Sequence, residues 1–287
     1  LNSRWRSIGA AALACVVLAA GSARAQVPDH PPSEDGAADS PFLSDAGLSF
    51  GWASLMTSDP RFDSQATIGF DLDAFRYRAG RLRFRAAYEA VLGRERRRYD
   101  LNQGTYAFEV SGSIDTGPAG LELLSQHVSR HLVDRDNVPS ISWNTVGARA
   151  RTAWTAADGF SARPPAGRRG TRVDGEIELM RAMQQAYVDY TWIARARVAL
   201  AHPVSPRTAL IATASGEVYG VMRGRFRDER VCGGRVEGGI RVRGGAARLE
   251  AFAGYERRVD AYPIDRFRVR WFTAGLRIVT VGRQGAV

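Results

Sequence analysis

His127, Ser129 and Asn144 are the side chains of this sequence whose types and spacing could do chemistry together. A serine hydroxyl is a poor nucleophile at neutral pH. An imidazole within reach can take its proton, and a third group must hold that imidazole in place. Asparagine does this through a hydrogen bond without adding charge, which suits a site beside lipid. His131 lies one alternation beyond Ser129, where it is a substitute base or an interfacial residue, and the interfacial reading is preferred.

The segments around these residues read as paired strands. In 119–132 (AGLELLSQHVSRHL) the odd positions are Ala119, Leu121, Leu123, Ser125, His127, Ser129 and His131, and the even positions carry Glu122, Gln126 and Arg130. The odd face begins apolar, so it is the lipid side of a membrane strand. In 141–151 (ISWNTVGARAR), Arg149 and Arg151 must point to a lumen, because arginine on the lipid side costs about 2–4 kcal/mol at mid-bilayer. Asn144 then faces lipid with Val146, Ala148 and Ala150. Opposed residues of an antiparallel pair have a constant sum, so a loop over 134–139 sets Ser129 against Asn144, and a loop over 132–139 sets His127 against it. Either register gathers serine, histidine and asparagine on one outward face, near the external rim by strand order.

The remaining chain supports that setting. Its 287 residues are 45% hydrophobic and 24% charged, which excludes low-complexity disorder and allows one large β-domain. The formal charge of +10 would suit a nucleic acid, but residues 1–25 read as a cleaved secretory signal. Arg4 and Arg6 precede an apolar run, and Ala23-Arg24-Ala25 forms a small-residue cleavage site. No nucleic-acid partner is expected, and the outer membrane of a bacterium is the expected location. Residues 26–45 are rich in Pro, Asp and Ser and read as a flexible periplasmic lead-in. Only Cys232 follows the leader, so no internal disulfide is expected. There is no phosphate-cradling glycine loop, zinc spacing or dinucleotide fingerprint.

From residue 46 to 281 the dominant period is two. Long runs alternate an apolar face with one rich in Arg and Glu, as a water-filled lumen permits. The fold class is therefore all-β, a transmembrane antiparallel barrel of about twelve strands, with ten as the alternative, and residues 282–287 as a tail. Eleven strands count clearly, and the twelfth is expected between residues 155 and 186. There the segment 176–187 (EIELMRAMQQAY) could equally be a helix in a loop or plug. Short turns are expected on the periplasmic side and longer, charged loops outside, such as the one carrying Arg94, Arg96, Arg97 and Arg98. Those arginines are a solvated loop or a grip on lipopolysaccharide phosphates. Tyr88, Tyr106, Tyr190, Trp192 and Trp271 are expected in the interfacial girdles. Arg83, Arg85, Arg195 and Arg197 are expected to pair with Asp71, Asp73 or Glu89 inside the barrel.

An H-x-S pair on one strand (His127, Ser129) followed on the next by S-W-N (Ser142, Trp143, Asn144) resembles the outer-membrane phospholipase A family. The resemblance implies a twelve-stranded barrel with an outward Ser-His-Asn triad that hydrolyses membrane phospholipid acyl esters, uses calcium and acts as a homodimer. It makes Ser129 the nucleophile, His127 the base and Asn144 the residue that holds it. Asp134 and Asp136, in the loop that follows, are the nearest hard oxygen ligands for the calcium. The family continues S-N-G after its nucleophile, where this chain has Ser129-Arg130-His131. The H-x-S-x-H form is also similar to barrel families without an assigned activity. Lipid A deacylases share the H-x-S pair with an acidic third member. The rival outside enzymology is a narrow channel or a structural barrel.

Overall fold

The computed structural model describes residues 42–77, 80–115, 119–133, 140–156, 160–161, 170–222, 232–259, 264 and 269–280. The signal peptide, most of the lead-in, the tail, and Asp134 and Asp136 lie outside the described residues. The alternating segments form strands β1 (Phe42–Met56), β2 (Ser64–Tyr77), β3 (Gly80–Gly93), β4 (Asp100–Asp115), β5 (Ala119–Leu132) and β6 (Ile141–Ala156). After a two-residue strand β7 (Phe160–Ser161) come β8 (Thr171–Ala186), β9 (Tyr190–Pro203), β10 (Thr208–Val221), β11 (Cys232–Arg243), β12 (Ala247–Arg258) and β13 (Val269–Thr280). A strand of twelve residues rises about 40 Å, and at a tilt of about 45° it spans close to the hydrocarbon thickness.

Apart from β7, which only pairs with the last two residues of β6, these strands form one antiparallel ring of twelve. β1 pairs with β13, β6 with β8, and β5 with β6. Closure matters because lipid offers no hydrogen bonds, so a spanning sheet can have no free edge. Leu121, Leu123, Phe108, Val110, Leu276 and Phe272 stand exposed on the outside, which makes an apolar belt. The fold is thus a transmembrane β-barrel.

Inside, Arg149 is 5% exposed and donates to Glu109 (2.6 Å), Glu122 (3.0 Å) and Glu178. Arg83 pairs with Asp73, Arg85 with Asp71 and Glu109, and Arg195 with Glu178. Most of the expected lumen arginines are therefore structural partners of carboxylates. Towards the other end from the β2–β3 turn, Trp143, Tyr190, Tyr219, Ile193 and Met180 form a buried cluster. A second cluster of Leu55, Phe62, Val91, Ile264 and Trp271 packs where the β1–β2 connection meets the barrel.

Three sequence expectations change. The segment 176–187 contains no helix, since its residues to Ala186 belong to the sixteen-residue strand β8, the twelfth member of the ring. Pairing on both sides by β6 and β9 overrides helix propensity there. Tyr190 and Trp271 are not girdle residues but are buried at 1% and 3% exposure. A register shift at the start of β9 leaves Thr191 between paired Tyr190 and Trp192, so those two face opposite sides although their numbers share parity. Trp271 shares the inward parity of Thr273, opposite outward Phe272. Finally, the β8–β9 connection is only residues 187–189, with Tyr187 at φ 61°, and the stretch between β6 and β8 at the other end is the longer one.

Candidate lipid-facing site

The register is that of the longer hairpin: His127 opposes Asn144, and Ser129 opposes Ser142. On the other side Tyr106 opposes Ser129 and Phe108 opposes His127. Tyr88 stacks on Tyr106 with centroids 4.7 Å apart, and Tyr106 meets the edge of His131 at 6.0 Å. Ser129 therefore lies at the level of an aromatic girdle, at the boundary of headgroups and hydrocarbon. His127, Ser129, His131 and Asn144 are all half-buried.

The predicted pair is made. The Nδ1–H of His127 donates to Oδ1 of Asn144 at 2.7 Å. Asn144 in turn donates from Nδ2 to Oε1 of Gln184 at 3.1 Å. Gln184 thus accepts from one end of the Asn144 amide while the other end faces the imidazole. A carbonyl oxygen only accepts, so this contact holds the proton on Nδ1 and leaves Nε2 of His127 as an acceptor.

Ser129 is placed differently from the sequence expectation. Its Oγ is 2.7 Å from Nε2 of His131, whose Nδ1 is 2.7 Å from Oγ of Ser140. Among the described residues no hydrogen bond joins Ser129 to His127. One serine therefore stands between two imidazoles on a single face, His127 held by an amide and His131 by a hydroxyl. A hydroxyl both donates and accepts, so Ser140 leaves the His131 tautomer unfixed.

Two contributors were not visible in the spacing. His131 was in view but its bond to Ser129 was not. Gln184 lies 40 residues from Asn144. It faces outward because β8 shifts register there: Asn144 pairs with Gln184, but Thr145 pairs with Ala182, leaving Met183 extra.

Asp134 and Asp136, the ligands expected for the calcium that the resemblance implies, lie outside the described residues. The outward positions around Ser129 are Gly104, Tyr106, Phe108, Ser142, Asn144, Gln184 and Ala186, and none is a carboxylate. No group of three His, Cys, Asp or Glu among the described residues could hold an ion.

No family model and no curated protein sequence matches the chain. Among solved structures it is similar to LpxR from Salmonella typhimurium, at 8% identity and TM-score 0.49, over 82% of this chain and 99% of that one. It is also similar to the translocator domain of autotransporter NalP from Neisseria meningitidis, at 13% identity and TM-score 0.34, over 83% and 86%. The transport unit of autotransporter AIDA-I from Escherichia coli matches at 9% identity and TM-score 0.38, over 83% and 89%. The chain's own ring closure and apolar belt make it a barrel of the bacterial outer membrane.

Proposed function

We propose that this barrel is an outer-membrane serine esterase that hydrolyses phospholipid acyl esters at its lipid-facing surface. The observation that carries the reading is the His127–Asn144 hydrogen bond beside Ser129 at girdle depth. A fixed tautomer with a free Nε2, next to a hydroxyl, has no evident structural purpose on a surface where polar groups are costly.

In this reading Ser129 turns its Oγ from His131 to His127 by a change between staggered χ1 wells. The Oγ attacks the acyl carbonyl while Nε2 of His127 takes the hydroxyl proton. Asn144, kept in orientation by Gln184, holds the imidazolium that forms. That proton then passes to the departing lyso-lipid oxygen, and water repeats the attack to release the fatty acid. His131 as the base is the second reading, favoured by the 2.7 Å bond to Ser129. His127 is preferred because an amide fixes its tautomer.

The test is fatty-acid release from phospholipid micelles by the refolded barrel, with calcium and with chelator. Release is expected to fall to background in Ser129→Ala, with the barrel still folded by heat-modified gel mobility. No release from folded wild type across several phospholipids would end the proposal. Release from lipid A alone would identify a lipid A deacylase instead. The chelator arm reads the calcium requirement, with Asp134 and Asp136 as the ligands to substitute, and cross-linking during turnover reads the homodimer.

A further inference from the structure

The β8 irregularity that turns Gln184 outward brings it to the face of Arg181, three residues earlier. Two residues of a regular strand separated by three positions face opposite sides of the sheet. Here Val146, on the lipid side of β6, pairs with Arg181, and Asn144, also on the lipid side, pairs with Gln184. The extra residue at Met183 therefore places Arg181 and Gln184 on the same outward face, as bulges near functional sites re-aim side chains.

Arg181 is exposed. Its side chain makes no hydrogen bond, ion pair or ring contact among the described residues. Its inward neighbour Glu178 is engaged by Arg149 and Arg195. On the other side Arg181 pairs in register with Trp192, which is 42% exposed. An outward tryptophan marks the interfacial zone, where lipid phosphates lie and where a guanidinium stem can run along apolar surface with its head at the phosphates. The planar fork of arginine matches two phosphate oxygens at once.

Arg181 is two strands away from β5, about 10 Å across the sheet, and level with Ser125, about 13 Å along the strand from Ser129, a diagonal of about 17 Å that passes Asn144. A long side chain and the glycerol backbone of a lipid together cover such a gap. We infer that Arg181 binds the phosphate of a glycerophospholipid and holds its acyl ester towards Ser129. This rests on the esterase reading for its purpose but not for its measurement. Arg181 is a binding residue set apart from the reacting atoms, and it makes the site selective for phosphate-bearing lipids over neutral acylglycerols.

The experiment uses the full refolded barrel carrying Ser129→Ala, in non-ionic detergent. It is titrated calorimetrically with dihexanoylphosphatidylglycerol, with dihexanoylglycerol and with lipid A. The phosphatidylglycerol is expected to bind more tightly than the neutral lipid. Adding Arg181→Gln is expected to weaken phosphatidylglycerol about tenfold or more, the size of a charge-assisted contact, and to leave dihexanoylglycerol unchanged. Arg181→Lys should recover part of the loss. Unchanged phosphatidylglycerol affinity, or equal weakening of both glycerolipids, overturns the inference, and a loss confined to lipid A overturns the assignment to glycerophospholipid. Acyl release by the wild type is read alongside. Arg181-dependent phosphate binding without any release removes the esterase and leaves the phosphate site standing.

Discussion

Two imidazoles compete for one hydroxyl at the centre of the site, and their second hydrogen bonds separate them. His127 is held by Asn144, itself held by Gln184, whereas His131 is held by Ser140. Only the amide chain dictates which ring nitrogen carries the proton. The expected outcome is that His127→Ala lowers kcat by about a hundredfold or more, the usual worth of a general base, while His131→Ala costs much less. The reverse order, measured by fatty-acid release at saturating lipid, would make His131 the base. His127, Ser129 and Asn144 were readable from type and parity. Gln184 was not, because a hydrogen bond across 40 residues depends on register.

At the scale of single elements, the irregularity in β8 lies beside the site. Deleting Met183 would restore an even pleat with Gln184 next after Ala182, and so still opposite Asn144. The expected result is a barrel that still closes and keeps fatty-acid release, whereas Gln184→Ala, which removes the bond to Asn144, lowers it. Unchanged release from Gln184→Ala would show that the amide chain has no part in the chemistry. The β1–β2 connection offers a second element to test. The Arg61 guanidinium bonds both carboxylate oxygens of Asp59 and holds that carboxyl below its usual range. Arg61 also donates to the carbonyl of Ile264 at 3.2 Å, and its neighbour Phe62 packs on Trp271. Because the folded value is the lower one, this pair contributes stability above the ordinary value of 3.8 and loses it as pH falls through the depressed value. Asp59→Asn should therefore speed amide hydrogen exchange in residues 57–63 at neutral pH. Wild type and variant should converge in acid strong enough to protonate the wild-type carboxylate.

For the whole molecule, the layer centred on Arg149 decides whether the barrel is a passage or a packed scaffold. One guanidinium engages Glu109, Glu122 and Glu178, all nearly inaccessible. Removing one partner from such a group leaves buried charge uncompensated, typically at a cost of about 3–5 kcal/mol. Arg149→Ala should lower the urea midpoint of the folded barrel accordingly, and a loss below about 1 kcal/mol would mean that water already screens the layer. With this layer and two apolar clusters across its interior, the barrel gives little support to the channel reading.

The sequence alone determined the architecture. Alternation with period two along strands of twelve to sixteen residues, arginine and glutamate concentrated on one face, and an even strand number leave few ways to satisfy a lipid environment. It also determined the outward face of His127, Ser129 and Asn144, because parity within a short hairpin is a local property. Tertiary structure decided what parity could not. Which of two hairpin registers forms, and where Gln184 and Tyr190 point, depend on shifts of one residue between strands. Such shifts are settled by the fit of neighbouring strands around the closed ring, where each must match the one before and after it. A run of alternating letters carries no mark of the position at which one extra residue is absorbed.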